Sequence, residues 1–122
     1  MKDPNLNSTS DIKSAKYIIY AEDDSIFKLL IKKYIDLTNH KIDLVSNGKE
    51  LIDKIRSNGY DLILLDIQMP VMDGIQALET MEKDGIKYPV IVVTSYTDSG
   101  TLEKINKFNN VKKIMEKPLD YG

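Results

Sequence analysis

Residues 60–74 read Tyr-Asp-Leu-Ile-Leu-Leu-Asp-Ile-Gln-Met-Pro-Val-Met-Asp-Gly, from Tyr60 to Gly74. The uninterrupted apolar run Leu62, Ile63, Leu64, Leu65 is too short for an ordinary globular helix and predicts a strand buried on both faces, as in the middle of a parallel sheet. Asp66 ends the run. A charge is costly inside an apolar layer, so its carboxylate is expected where the strand leaves the core. Ligands of open α/β sheets bind at that edge. Met69-Pro70 then blocks continuation as either ladder or helix, and Asp73-Gly74 supplies turn chemistry before the next amphipathic segment.

Working outward, Lys16 to Ala21 predicts a first strand, with Glu22, Asp23 and Asp24 crowding its exit. Asp24 or Ser25 is suited to cap a helix carrying Ile26, Leu29, Leu30, Tyr34 and Leu37 on one apolar face. Lys41 to Val45 alternates polar and apolar as an edge strand does. A Ser46-Asn47-Gly48 turn leads into a second helix through Leu51, Ile52 and Ile55. Beyond Gly74, Ile75, Leu78 and Met81 mark a third helix that ends at Asp84-Gly85. Val90 to Val93 is a second fully apolar strand ending at Thr94. Leu102, Ile105 and Phe108 mark a fourth helix, and Val111 to Glu116 a last short strand before Lys117-Pro118. Strands alternating with helices predict a parallel sheet covered on both faces. Residues 1–15 are polar around Leu6 and Ile12 and are expected to form a flexible leader.

The whole comprises 122 residues, the size of one domain. A net charge of −2 leaves no excess positive charge for gripping phosphate backbones, which disfavours nucleic-acid binding. With no cysteine, disulfides, thiolate chemistry and cysteine metal sites are excluded together. No run is long and apolar enough for a membrane span or a secretory signal, so a cytoplasmic protein is expected.

Glu22 and Asp23, Asp66, Thr94 and Lys117 each follow directly on a predicted strand, and in a parallel sheet those ends share one edge. Two unit charges ~4 Å apart repel by about 4 kcal/mol at an effective dielectric of 20, so such carboxylates raise one another's pKa or recruit a cation. An all-oxygen site suits Mg²⁺. Lys117 adds positive charge and Thr94 a hydroxyl, both fitted to phosphoryl oxygens, which makes Asp66 the natural nucleophile of a phosphoryl-transfer site. No glycine-rich phosphate loop supports nucleotide binding. His40, the only histidine, cannot build a metal site by itself and is expected to be exposed.

Tyr-Ala-Glu-Asp-Asp, Leu-Leu-Asp-Ile-Gln-Met-Pro-Val-Met-Asp-Gly, Val-Val-Thr-Ser and Glu-Lys-Pro, in that order, closely resemble the receiver domains of two-component response regulators. The likeness runs from about Lys16 to Pro118 and implies a receiver domain over 16–122. It implies a flavodoxin-like, doubly wound, five-stranded parallel sheet of order 2-1-3-4-5. It also implies that Asp66 accepts a phosphoryl group from a sensor histidine kinase or a histidine phosphotransfer protein and thereby switches binding of a downstream protein. Carried over by position, Asp23, Asp66 and the backbone carbonyl of Gln68 would bind Mg²⁺, and Glu22 would act largely through a metal-bound water. Thr94 would hold a phosphoryl oxygen, and Lys117 would pair with Asp66 or its phosphate.

The sequence departs from that pattern twice. Ile114 stands where receivers commonly carry an aromatic switch residue. Receivers also continue into a fifth helix after the Lys-Pro pair, whereas only Leu119, Asp120, Tyr121 and Gly122 follow here, so the helix is expected to be absent or truncated. A partner segment or self-association would then cover the apolar face. Gln68 and Tyr96 are expected to flank the path of the attacking water, where a bulky Tyr96 would shield the acyl phosphate and slow its hydrolysis. The competing reading is a magnesium phosphatase of the haloacid dehalogenase type, which wants a second aspartate where Gln68 stands. A flavin carrier is a third, disfavoured by the acidic exit of the first strand.

Overall fold

The computed structural model describes residues 15–95 and 98–117. Apart from Ala15, the expected leader lies outside them, as do the expected loss of the fifth helix and the role given to Tyr96. In chain order the elements are β1 (Tyr17–Ala21), α1 (Ser25–Asp36), β2 (Lys41–Val45), α2 (Gly48–Ser57), β3 (Leu62–Leu65), α3 (Gly74–Asp84), β4 (Val90–Thr94), α4 (Ser99–Asn106) and β5 (Val111–Glu116). All strands pair in parallel, in the order β2-β1-β3-β4-β5. This is the flavodoxin-like arrangement anticipated above.

That order dictates where the helices lie. The β1-to-β2 connection steps one way across the sheet and every later one steps back, so right-handed crossovers place α1 on one face and α2, α3 and α4 on the other. Accordingly Ile31 and Ile35 of α1 pack on Ile18, Tyr20 and Leu64. Leu51, Ile52 and Ile55 of α2, Ala77, Leu78 and Met81 of α3, and Ile105 of α4 join Ile19, Ile63, Leu65, Val90 and Val92 in the larger core opposite. The direction reverses between β1 and β3, and ligands of open α/β sheets bind at the carboxyl ends of the strands beside such a switch point.

One expectation is corrected in α1. The apolar stripe Ile26, Leu29, Leu30, Tyr34 and Leu37 faces outward, with Leu37 85% exposed. The rotation of the helix is set at its start, where Asp24 Oδ1 accepts the Ile26 and Phe27 N–H groups at 2.8 and 3.2 Å. Lys28 Nζ also donates to Ser46 Oγ at 2.7 Å. Those anchors turn Ile31 and Ile35 toward the sheet, so the stripe that is densest in sequence is not the one buried. His40, expected to be exposed, is half-buried, and its Nδ1 accepts the Lys16 N–H at 2.8 Å at the entry of β1.

Candidate functional site

Three of the predicted site residues leave the sheet on one extra backbone rung each. The N–H groups of Glu22, Asp66 and Lys117 donate to the carbonyls of Val45, Ala21 and Thr94, each at 3.0 Å. Their side chains therefore start from positions that the sheet itself holds. The loop after Asp66 is pinned just as closely. The Gly74 N–H donates to the Ile67 carbonyl at 2.8 Å. A Cβ on Gly74 would lie 2.4 Å from the Asp66 carbonyl oxygen, so only glycine lets α3 begin this near the strand exit. Asp73 and Gln76 close a capping box at that helix start.

Between them the Met72 N–H donates to the Pro70 carbonyl at 2.7 Å around Val71, whose φ is 68°. This is a γ-turn with its central residue in the left-handed region, a strained conformation for a β-branched side chain.

At the edge, Glu22, Asp23 and Asp66 each offer a carboxylate oxygen, and these oxygens lie within 4.8 Å of one another. Glu22 and Asp66 are 0% and 5% exposed, whereas Asp23 is open to solvent. Lys117 joins the two buried acids: its Nζ pairs with Glu22 Oε1 and donates to Asp66 Oδ2 at 3.1 Å. The ammonium also sits 4.3 Å from the centre of the Phe27 ring, a cation–π contact. Glu22 Oε1 further accepts from the Tyr20 hydroxyl and Oε2 from the Asp24 N–H, both at 3.0 Å. Asp66 Oδ1 accepts the Ile67 N–H at 2.7 Å. Burial works against the Lys117 ammonium, but its hydrogen bond to Glu22 and the charge of Asp66 outweigh it and hold its pKa above the ordinary lysine value.

Sequence reading thus names five residues that the fold gathers at one edge: Glu22, Asp23, Asp66, Lys117, and Thr94, which is 2% exposed at the end of β4 and bonded through its carbonyl to Lys117. Gln68 lies exposed two residues beyond Asp66. Asp24 caps α1, as expected. Ile114 packs against the larger core. Sequence reading missed Tyr20 and Phe27, which touch the charged groups. Tyr20 was legible in principle, since residues two apart on a strand share a face and Glu22 follows it by two. Phe27 carries no such signal, because its contact depends on the rotation of α1. An all-oxygen set of three clustered carboxylates fits a hard divalent cation such as Mg²⁺ and suits soft, thiolate-seeking metals poorly.

Residues 18–121 match the family model of the response regulator receiver domain, and the chain belongs to that family. Two-component response regulator 24 of Arabidopsis thaliana is 34% identical over 111 residues, which cover 89% of this chain and 79% of that protein. The transcriptional regulatory protein CrdR of Helicobacter pylori is 30% identical over 107 residues, 86% of this chain but 49% of that regulator, so the chain spans about half of that relative. The receiver domain of a Pseudomonas aeruginosa sensor histidine kinase, solved with a magnesium ion coordinated in its active site cleft, shares the fold. It is 23% identical, with a TM-score of 0.77, and the match covers 88% of this chain and 89% of that one. The family match favours the receiver reading over the phosphatase one. Among the described residues no helix is long and apolar enough to cross a membrane.

Proposed function

We propose that this chain is a phosphorylation switch in which Asp66 accepts a phosphoryl group from a phosphohistidine, on a sensor histidine kinase or a histidine phosphotransfer protein, with Mg²⁺ as cofactor. The observation that carries this reading is the placement of a strand-end carboxylate, Asp66, between two further acids and a nearly buried ammonium. An Asp66 carboxylate oxygen attacks phosphorus, the P–N bond to the imidazole breaks, and the leaving nitrogen keeps the electron pair until it is protonated. Lys117 reaches the new phosphoryl oxygens from its position on Asp66 Oδ2, and the Thr94 hydroxyl provides a donor at the end of the neighbouring strand. Glu22, Asp23, Asp66 and the Gln68 carbonyl would hold the ion. Mg²⁺, when bound, offsets the negative charge gathered around the reacting phosphorus.

The reading makes the chain a catalyst only of its own phosphorylation and dephosphorylation, acting in the cytoplasm on a downstream protein partner. The decisive experiment is incubation with a small phosphodonor and Mg²⁺, with the phosphorylated species counted by intact-mass spectrometry. The parent gains one acid-stable, base-labile phosphoryl group, and Asp66→Asn and the magnesium-free parent gain none. Equal labelling of Asp66→Asn would overturn the assignment.

A further inference from the structure

Tyr20 interrupts an otherwise aliphatic β1 exit with a phenol. Its ring packs on the α1 side of the sheet with Ile18, Ile31, Ile35 and Leu64, and its hydroxyl reaches the end of that apolar layer to donate to Glu22 Oε1 at 3.0 Å. The same oxygen is the one paired with Lys117, and the other carboxylate oxygen accepts the Asp24 N–H at 3.0 Å. Glu22 is therefore held at both oxygens, twice by neutral donors and once by a cation.

Those donors differ in what they can do next. The Asp24 N–H is fixed by the backbone that starts α1, and the Tyr20 hydroxyl by a buried ring. Lys117 ends a flexible stem and already divides its hydrogen bonds between Glu22 and Asp66. Phosphoryl oxygens on Asp66 would draw the ammonium away from Glu22, which is 0% exposed. The neutral donors then remain on the glutamate, and neither repels a divalent ion.

We infer that Tyr20 is a positioning residue of this site: its hydroxyl orients the Glu22 carboxylate toward the cation and retains it when Lys117 turns to the phosphoryl group. The inference rests on Asp66 as phosphoacceptor. Groups that hold a ligand carboxylate in this way commonly contribute 10- to 100-fold to metal affinity.

The test uses the whole chain and titrates Mg²⁺ alone, followed by amide chemical shifts, into the parent, Tyr20→Phe, Glu22→Gln and the double variant. Phenylalanine keeps the ring among Ile18, Ile31 and Leu64 and removes only the hydroxyl. Tyr20→Phe is expected to weaken Mg²⁺ binding about tenfold and to keep the phosphorylation rate at saturating Mg²⁺ within about threefold of the parent. In the Glu22→Gln background the same change is expected to alter affinity less than about twofold, because its route runs through Glu22. An unchanged affinity in Tyr20→Phe, or an equal loss in both backgrounds, would overturn the inference. So would loss of the folded circular dichroism spectrum in Tyr20→Phe, which would assign the hydroxyl to the fold. Phosphate uptake that persists in Asp66→Asn would instead remove the phosphoacceptor reading and leave the Mg²⁺ titrations standing on their own.

Discussion

Two carboxylate centres lie on this sheet, and the fold treats them in opposite ways. Toward the amino ends of the strands, Asp43 Oδ2 accepts from the Tyr17 and Tyr60 hydroxyls, each at 2.6 Å, and the two rings stand 4.6 Å apart. One negative charge there meets two neutral donors. At the carboxyl ends, Glu22 and Asp66 share a single ammonium, with Asp23 beside them. The first centre is satisfied and works as a tie between β1, β2 and the approach to β3. The second holds more negative charge than its own donors neutralise, and that imbalance suits it to take up a cation. A surplus of charge held in place by a rigid sheet is what separates a site fitted to take up a cation from a structural tie.

Removing Lys117 should break the contrast most severely. Lys117→Met leaves two buried acids without their cation, and breaking such a pair costs about 3 to 5 kcal/mol. A urea midpoint lowered accordingly, and partly restored by millimolar Mg²⁺, is the expected result; a parent-like midpoint without Mg²⁺ would show that the ammonium is not what the acids depend on.

Neutralising one acid should lower stability at the Asp43 centre and not at the carboxyl-end one. Asp43→Asn exchanges a charge-assisted acceptor for a neutral one and is expected to cost about 1 kcal/mol, the exposed part of the site being screened by water. Asp66→Asn removes one of the crowded acids at the carboxyl-end centre, so its unfolding temperature should match or exceed that of the parent even though the proposed phosphoacceptor is gone. Matching losses in both variants would erase the distinction.

The pH dependence of the Asp43 centre follows from the direction of its shifts. Burial opposes its charge, but the two phenol hydrogen bonds prevail and hold its pKa below the usual carboxylate value. The tie therefore contributes fully above the unfolded value of about 3.9 and is lost as pH falls through the lower folded value. Burial and the Asp43 hydrogen bond raise Tyr60 above the ordinary phenol range. Its contribution is complete below the unfolded value of about 10 and declines as pH rises beyond it. Urea midpoints of the parent and Asp43→Asn should converge at both extremes, and a constant gap across pH would contradict this.

The smallest effect is expected beside the carboxyl-end centre. Val71 is 78% exposed at its positive φ, so glycine there relieves strain without opening a cavity. The gain is expected to be about 0.5 to 1 kcal/mol after the greater chain entropy of glycine is subtracted. It should appear as a slightly raised unfolding temperature, and a lowered one would show that Val71 is not strained.

Much of this was legible residue by residue. Leu62 to Leu65 and Val90 to Val93 mark buried strands because nothing polar interrupts them, and the polar residue after each run marks where the core ends. Asp73, Asn47 and Asp98 accept from the N–H groups that helix starts leave unpaired, a role such side chains announce locally. The outward stripe of α1 was misread because periodicity reports a helix and its apolar face, not which of two apolar faces meets a sheet. Phe27 under the Lys117 ammonium escaped notice for the same reason, and Val71 because strain belongs to a closed loop and not to a residue type.

The sequence by itself determined which segments are strands, where each meets a polar residue, and hence that Glu22, Asp23, Asp66, Thr94 and Lys117 gather at one edge of a parallel sheet. These are consequences of local periodicity and of the cost of burying charge. Only the tertiary structure decided that α1 turns Ile31 and Ile35 inward, that Lys117 lies between Glu22, Asp66 and the Phe27 ring, and that Tyr20 reaches Glu22 from beneath. Helix rotation and side-chain reach are fixed by packing between elements distant in the chain, and no local pattern encodes them.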